Sequence, residues 1–534
     1  MRQLAVSAVC LLVIGCSGDD VVKGQEGFVK GFFGGVAADE PRAVLEGRKV
    51  LSKGGSAADA VTAMYFTLSV TLPSAASLGG GGICITYDPK TNKAEVLDFL
   101  GRSPRHIPAG ATRPSAVPGN PLGFFALHSR YGRLQWSEMV APAEKLARFG
   151  TQASRSLIKR FQPVAAALIE DPDSRAVFVN ADKKIIKEGD YFRQEDLSTT
   201  LAMIRSRGPL TLYRGPFADQ LAEAALAVGG SLSPGDLRAF RPQWRETVSI
   251  SLGNDMAHFS APPAAGGLVA AQMLAMLEDD DRFEDAPEIE RAHLLAETAL
   301  RAFADRARWL GGDNSSAQPA KSVVAPDHIE KLMANYRDRT HLQAKSLNPK
   351  PLIKAENPSA TSFLAIDPEG GAVSCALTMN NNFGIGRMAR GTGIVLAANP
   401  RGVGRGPISL GPMMVVNHNT KKFLFTAAAA GGAAAATAMI NVAARALLGE
   451  EKLSKALARG RIHHGGMPDF TYYEPNIPTD IIGALKKKGH RIAATPILGG
   501  VNVAHCRGGL PHDPETCQVL TDPRGYGLAL SASE

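Results

Sequence analysis

The stretch of this chain best suited to chemistry is a strand start rich in hydroxyls, Pro358-Ser359-Ala360-Thr361-Ser362. It leaves a polar, proline-containing run that reads as exposed loop and alternates as a strand to Ile366. It then turns at Asp367-Pro368-Glu369-Gly370-Gly371 and returns as a second strand, Ala372 to Met379. The triplet Thr378-Met379-Asn380 closes the hairpin. A loop entering a hydroxyl-bearing strand start suggests a nucleophile made by cutting the chain. Such a hydroxyl needs a base beside it, because it is a poor nucleophile at neutral pH.

The elements around this hairpin are helices and further hairpins. Pro41 to Ser52 has helical spacing, and Ser56 to Leu72 is a second, nearly all-apolar helix that Ser56 can cap and Asp59 can support in its first turn. Gly79 to Gly82 lead into a strand, Ile83 to Tyr87, paired with Ala94 to Phe99. No Lys-Ser/Thr follows these glycines, so they read as close backbone approach rather than a phosphate loop. Trp136 to Phe149, Leu268 to Leu277 and Glu288 to Leu310 read as helices, and Arg245 to Leu252 as one strand. Strands are expected at Ile394 to Ala398, Pro412 to Val416, Lys422 to Thr426, Asn502 to His505 and Gln518 to Thr521. Gly431-Gly432 open an alanine-rich helix. Helices, then strands in hairpins, then helices again give an α+β fold rather than alternating βαβ units.

Composition narrows the function. The 534 residues carry a formal charge of +8 without a basic arm; Lys486-Lys487-Lys488 sits at a helix end, where cations are favoured, so nucleic acid is not an expected partner. Met1-Arg2, the apolar run Leu4 to Ile14 and Val13-Ile14-Gly15-Cys16 have the layout of an export signal too short to span a bilayer. The ending resembles a bacterial lipobox. That resemblance implies cleavage before Cys16, lipid on Cys16, and an envelope protein anchored to the membrane. Cys84 and Cys375 read as small core residues. Cys506 and Cys517 flank the loop GGLPHDPET, where a disulfide fits an exported protein and two free thiols are the alternative. No Cys/His spacing resembles a zinc site, and no metal or cofactor is expected.

The ordered set Gly54-Gly55-Ser56-Ala57-Ala58-Asp59, Leu78-Gly79-Gly80-Gly81-Gly82, Val117-Pro118-Gly119, Tyr131-Gly132-Arg133-Leu134, Ser260-Ala261-Pro262-Pro263, Gly431-Gly432, Arg461-Ile462-His463-His464 and Asp522-Pro523-Arg524 resembles the gamma-glutamyltranspeptidase family over residues 34 to 530. The resemblance implies a four-layer αββα N-terminal-nucleophile hydrolase. Its chain cuts itself before a Thr whose new α-amine is the base for its own hydroxyl, and a small-molecule or peptide γ-glutamyl amide is the substrate. It divides the chain into a signal (1–16), a tether (17–33), a large-subunit-like region (34–359) and a small-subunit-like region (360–534). The last two form one intertwined domain and stay paired after processing. It gives Thr378 the role of supporting the nucleophile, Asn380 and Ser409 contacts to substrate, and Gly431-Gly432 the oxyanion hole.

Three positions depart from that pattern. Leu100 follows Asp98-Phe99 where the family carries an arginine for the glutamyl carboxylate; Arg102, two residues on, shares its strand face and could serve in part. Arg401-Gly402 replace an acidic pair for the substrate amine. Counting back from Asp367 and from Thr378, the nucleophile falls on Ala360, with Thr361 adjacent and on the opposite strand face unless the strand start bulges or slips. Ser359 and Ser362 are weaker alternatives. Two expectations follow: a self-processing acyl hydrolase or transferase using Thr361, or an unprocessed, catalytically inactive family member acting as an exported binding or structural protein.

Overall fold

The computed structural model describes residues 32–311, 315–348, 359–401 and 408–531. The signal, its Cys16, residues 17–31 of the tether, and Gly402 lie outside the described residues.

Two sheets face each other at the centre. One runs in the order Leu528–Ser531, Gly35–Ala38, Ala360–Ile366, Ala372–Thr378, Gly81–Asp88, Lys93–Phe99, Gln243–Glu246. The other runs Cys517–Leu520, Gly500–Leu510, Lys422–Ala430, Met413–Asn417, Asp255–Phe259, Val248–Leu252. Both take strands from either side of residue 360. Three apolar clusters define the layers. Helix Ala57–Thr71 and its neighbours cover the outer face of the first sheet, and helices Gly266–Glu278, Glu288–Trp309 and Ala434–Leu447 cover the second. Ala360, Leu364, Ile366, Leu100, Ala430 and Ala504 belong to the cluster between the sheets. This is the four-layer αββα arrangement.

Local chemistry explains the parts that hold the hairpin. All of Ala57–Thr71 is buried, as its lack of a polar face requires. Ser56 and Asp59 form a reciprocal capping box at its start. Asp59 also accepts from the Arg133 amide at 2.8 Å, pinning the Tyr131–Leu134 turn. At the hairpin turn, Asp367 accepts from the amides of Gly371 (2.8 Å) and Ala57 (3.0 Å), joining the turn to that helix. Burial, only partly offset by these amides and by Arg133, pushes the Asp367 carboxyl up to about 6.

Several expectations need correction. Arg245 to Leu252 is not one strand: the chain pairs as Gln243–Glu246 in the first sheet, breaks at Thr247, and pairs as Val248–Leu252 in the second. Ala427 to Ala430 belong to the long strand Lys422–Ala430. Cys84 and Cys375 are not two free core residues. They lie directly opposite each other on adjacent antiparallel strands, with Cα atoms 4.1 Å apart, and are joined by a disulfide. A sequence separation of 291 hides that register. Cys506 and Cys517 are likewise opposite and joined, here as the sequence led one to expect.

Candidate active site

The register of the hairpin sets the two faces of its first strand. Ala360 is opposite Thr378, and Thr361 opposite Leu377. Ala360, Leu364 and Ile366 point between the sheets, whereas Phe363 and Ala365 pack on the helical side. Ser362 shares the Ala360 face: Asn502 on the second sheet donates to its hydroxyl at 2.9 Å and to its carbonyl at 2.8 Å. Thr361 therefore faces away from the inter-sheet space, without a bulge at the strand start. It is fully buried, and its hydroxyl donates to Asp39 Oδ2 at 2.8 Å.

Asp39 follows strand Gly35–Ala38 and precedes helix Pro41–Ser52. Its carboxylate also accepts from the Ser362 amide (3.2 Å) and from Asn502 Nδ2 (2.8 Å). Arg160, at the end of helix Arg155–Phe161, donates from Nη1 to the Ala360 carbonyl at 2.9 Å, and its Nη2 lies 3.7 Å from Asp39. Burial weakens its hold on the proton, and Asp39 opposes that effect. Asp39, Lys159, Arg160, Gly431 and Tyr526 line one open cavity of about 340 Å³.

The remaining expected residues fall as follows. The Thr378 hydroxyl accepts from the Asn380 amide at 2.9 Å and reaches the Ser359 carbonyl at 3.4 Å, too long for a strong bond. Asn380 has φ 57°, and its side-chain amide donates to the Ala398 carbonyl at 2.8 Å. Gly431 (φ 146°) and Gly432 (φ 63°) form the turn between strand Lys422–Ala430 and helix Ala434–Leu447. A Cβ on Gly431 would lie 2.5 Å from the Gly499 Cα, so only glycine fits there. Ser409 is buried, its backbone against Gly266, and its neighbour Leu410 joins the inter-sheet cluster. Leu100 is part of that same apolar cluster. Arg102 turns to Asp98 (3.6 Å) and lies over the Phe240 ring, while Arg245 holds Asp98 at 2.9 Å. Arg401 donates its amide to Asn399 Oδ1.

Sequence reasoning missed Asp39 and Arg160. Asp39-Glu40-Pro41 reads as acidic residues before a helix, and Arg160 as one more helix-end cation. It also missed a buried network that ties residues before position 360 to residues after it. His341 donates to Glu297 (2.6 Å) and Asp469 (3.0 Å), His464 to Asp469 (3.1 Å), and His293 shares a proton with His490 (2.7 Å). His293/Glu297/His490 and His341/His464/Asp469 each bring three ligand-type atoms within 4.8 Å. These atoms are already engaged with one another in hydrogen bonds. The Gly466 amide donates to His464 Nδ1, which leaves the hydrogen on Nε2, facing Asp469. Glu297 is taken by His341, Arg301 and the Leu342 amide. The network reads as proton-bridged ion pairs rather than a metal centre. Burial would raise Glu297, but His341 and Arg301 outweigh it and hold the carboxyl at about 2; burial, with His341 and His293 beside it, pushes His490 down to about 2.

Comparison with known proteins agrees with this fold. The family model described as gamma-glutamyltranspeptidase matches residues 43–532. The glutathione hydrolase proenzyme of Pseudomonas aeruginosa is 28% identical over 93% of this chain and 94% of that protein, and that of Escherichia coli 25% over 87% of each. A cephalosporin acylase structure from Bacillus halodurans superposes with TM-score 0.79 at 20% identity, covering 97% of this chain and 99% of that one, which shows the shared fold. Gamma-glutamyltranspeptidase from Helicobacter pylori superposes at TM-score 0.54 and 26% identity over 62% of this chain and 97% of that one. With the match running through both sheets and the hairpin at the centre of the first, the chain belongs to the gamma-glutamyltranspeptidase family.

Proposed function

We propose that this protein hydrolyses or transfers a gamma-glutamyl-type acyl group from a small-molecule or peptide amide, with Thr361 as its nucleophile after self-cleavage of the bond before it. The observation that carries this reading is the Thr361 hydroxyl, 2.8 Å from the Asp39 carboxylate, next to an Ala360 that has no hydroxyl to offer. Family membership and relatives named glutathione hydrolase supply the reaction class. Once freed, the Thr361 amine is the base that its hydroxyl needs. Gly431 lines the cavity that Asp39 and Arg160 share, so its amide is the donor suited to a tetrahedral intermediate's oxyanion. Thr378 and Asn380 brace the strand end, with Ser409 assigned to the substrate side.

Recognition of the acyl group differs from the family pattern in this reading. Leu100 presents an apolar wall, and Arg102, 3.6 Å from an Asp98 that Arg245 already holds, keeps its guanidinium half-exposed for part of the substrate contact. Further cationic contacts to an acyl carboxylate come from the cavity side, where Lys159 is exposed. The leader ending at Cys16 keeps its reading as an export and lipid-attachment signal, and two disulfides suit an oxidising compartment. The large and small chains remain paired, since both sheets use strands from each.

Turnover of a γ-glutamyl anilide by the purified protein tests the reaction class. Measurable release of the aniline that disappears in Thr361→Ala is the expected result. A wild-type protein inert toward γ-glutamyl amides contradicts it.

A further inference from the structure

We infer that self-cleavage at the strand start uses Asp39 as the base for Thr361 and Arg160 as the donor that polarises the Ala360 carbonyl. The inference rests on the reading above that the cut falls before Thr361.

Three contacts assemble the parts of an acyl shift. The nucleophile is Thr361 Oγ1, already donating its hydrogen to Asp39 Oδ2 at 2.8 Å. The electrophile is the Ala360 carbonyl carbon, whose oxygen accepts from Arg160 Nη1 at 2.9 Å. Asp39 itself is fixed in place, because Asn502 Nδ2 and the Ser362 amide donate to its two oxygens and Arg160 Nη2 stands 3.7 Å away. The bond one residue earlier is less well equipped. The Thr378 hydroxyl reaches the Ser359 carbonyl at 3.4 Å, too long for a strong bond, and Ala360 brings no hydroxyl to attack that carbonyl.

The step balances as an N-to-O acyl shift followed by hydrolysis. Asp39 takes the Thr361 hydroxyl proton as Oγ1 attacks the Ala360 carbonyl carbon. Arg160 holds the developing oxyanion. The bond from that carbon to the Thr361 nitrogen breaks, and the nitrogen takes the proton from Asp39. An ester of Ala360 on Thr361 Oγ1 and a free Thr361 amine result. Water then cleaves the ester, leaving a carboxylate on Ala360 and restoring the hydroxyl. Asp39 and Arg160 line the open cavity, which gives water its access.

The test follows cleavage of freshly purified precursor by intact mass, with and without hydroxylamine. Asp39→Asn keeps an oxygen to accept from Thr361 but cannot take the proton, and is expected to slow cleavage about 10²–10⁴-fold, with Asp39→Glu recovering part of the rate. Arg160→Met is expected to slow it about 10²–10³-fold. Hydroxylamine should speed the wild-type cut and capture Ala360 as a hydroxamate, an ester signature that a merely structural role for these residues would not produce. Melting midpoints check that each variant folds, and the two act from different elements, so loss of one fold leaves the other variant informative. A precursor that never cuts overturns the parent reading and this one together. Cleavage before Thr361 at rates unchanged in both variants overturns this one alone.

Discussion

The two faces of strand Ala360–Ile366 differ sharply in chemistry. Toward the second sheet, Ala360 joins an apolar cluster with Leu100, Ala430 and Leu410, interrupted at Ser362, where Asn502 bonds both Ser362 and the Asp39 carboxylate. Toward the helices, Thr361 meets Asp39, and Arg160 reaches over the same backbone from the rim of a cavity. The family pattern puts its nucleophile on the first face; in this chain the hydroxyl stands on the second, and Asp39 meets both, through Thr361 and through Asn502. A strand's two-residue period makes this contrast sharp, because a shift of one residue changes face entirely.

Ala360→Thr tests that contrast with the largest expected effect. It returns a hydroxyl to the inter-sheet face, opposite Thr378. Some or all of the cut should move one residue earlier, with a small chain beginning at position 360 by N-terminal sequencing. Cleavage still confined to the bond before Thr361 would show that a hydroxyl alone does not restore the first face.

Leu100→Arg asks whether the inter-sheet face is as closed as its packing indicates. Leu100 is 3% exposed. An arginine there would bury a charge in the apolar cluster and should cost about 3 kcal/mol, read as a lowered unfolding midpoint. Unchanged stability with tighter binding of a glutamyl ligand would instead reveal an open carboxylate pocket.

Much of this was legible in the sequence, and the limits have physical causes. The capped apolar helix Ala57–Thr71, the hairpin and the Gly431-Gly432 turn were readable because local rules fix them: a capping box, strand alternation, and backbone that only glycine adopts. The face of Thr361 followed from parity once Thr378 fixed the register. What alternation could not supply was its partner, since Asp39 is 322 residues away. The Cys84–Cys375 disulfide was hidden for the same reason. The split of Arg245 to Leu252 between two sheets was hidden because both halves alternate alike; only Thr247 marks the crossing.

The smallest expected effect concerns the histidine network, which joins His293, Glu297 and His341, before residue 360, to His464, Asp469 and His490, after it. Buried His490, held down to about 2, stays neutral in the folded protein at pH 5, whereas in the unfolded chain it titrates near 6.5. The unfolded state binds the extra proton, so stability falls as pH drops below 6.5, by about 2 kcal/mol at pH 5. His341 acts in the opposite direction: burial would lower it, but Glu297 and Asp469 raise it, so its contribution is full below 6.5 and is lost as pH rises through its folded value. Between pH 7.5 and 5, the wild type should therefore lose about 2 kcal/mol more than His490→Gln in denaturant titrations. Equal losses would place the acid sensitivity elsewhere.

The most direct measurement is the mass and N-terminal sequence of the mature protein. Two chains are expected, the smaller beginning at Thr361, and Thr361→Ala should remain a single chain. A smaller chain beginning at Ala360, or processing that persists in Thr361→Ala, would contradict the assignment of Thr361 and of the face it occupies.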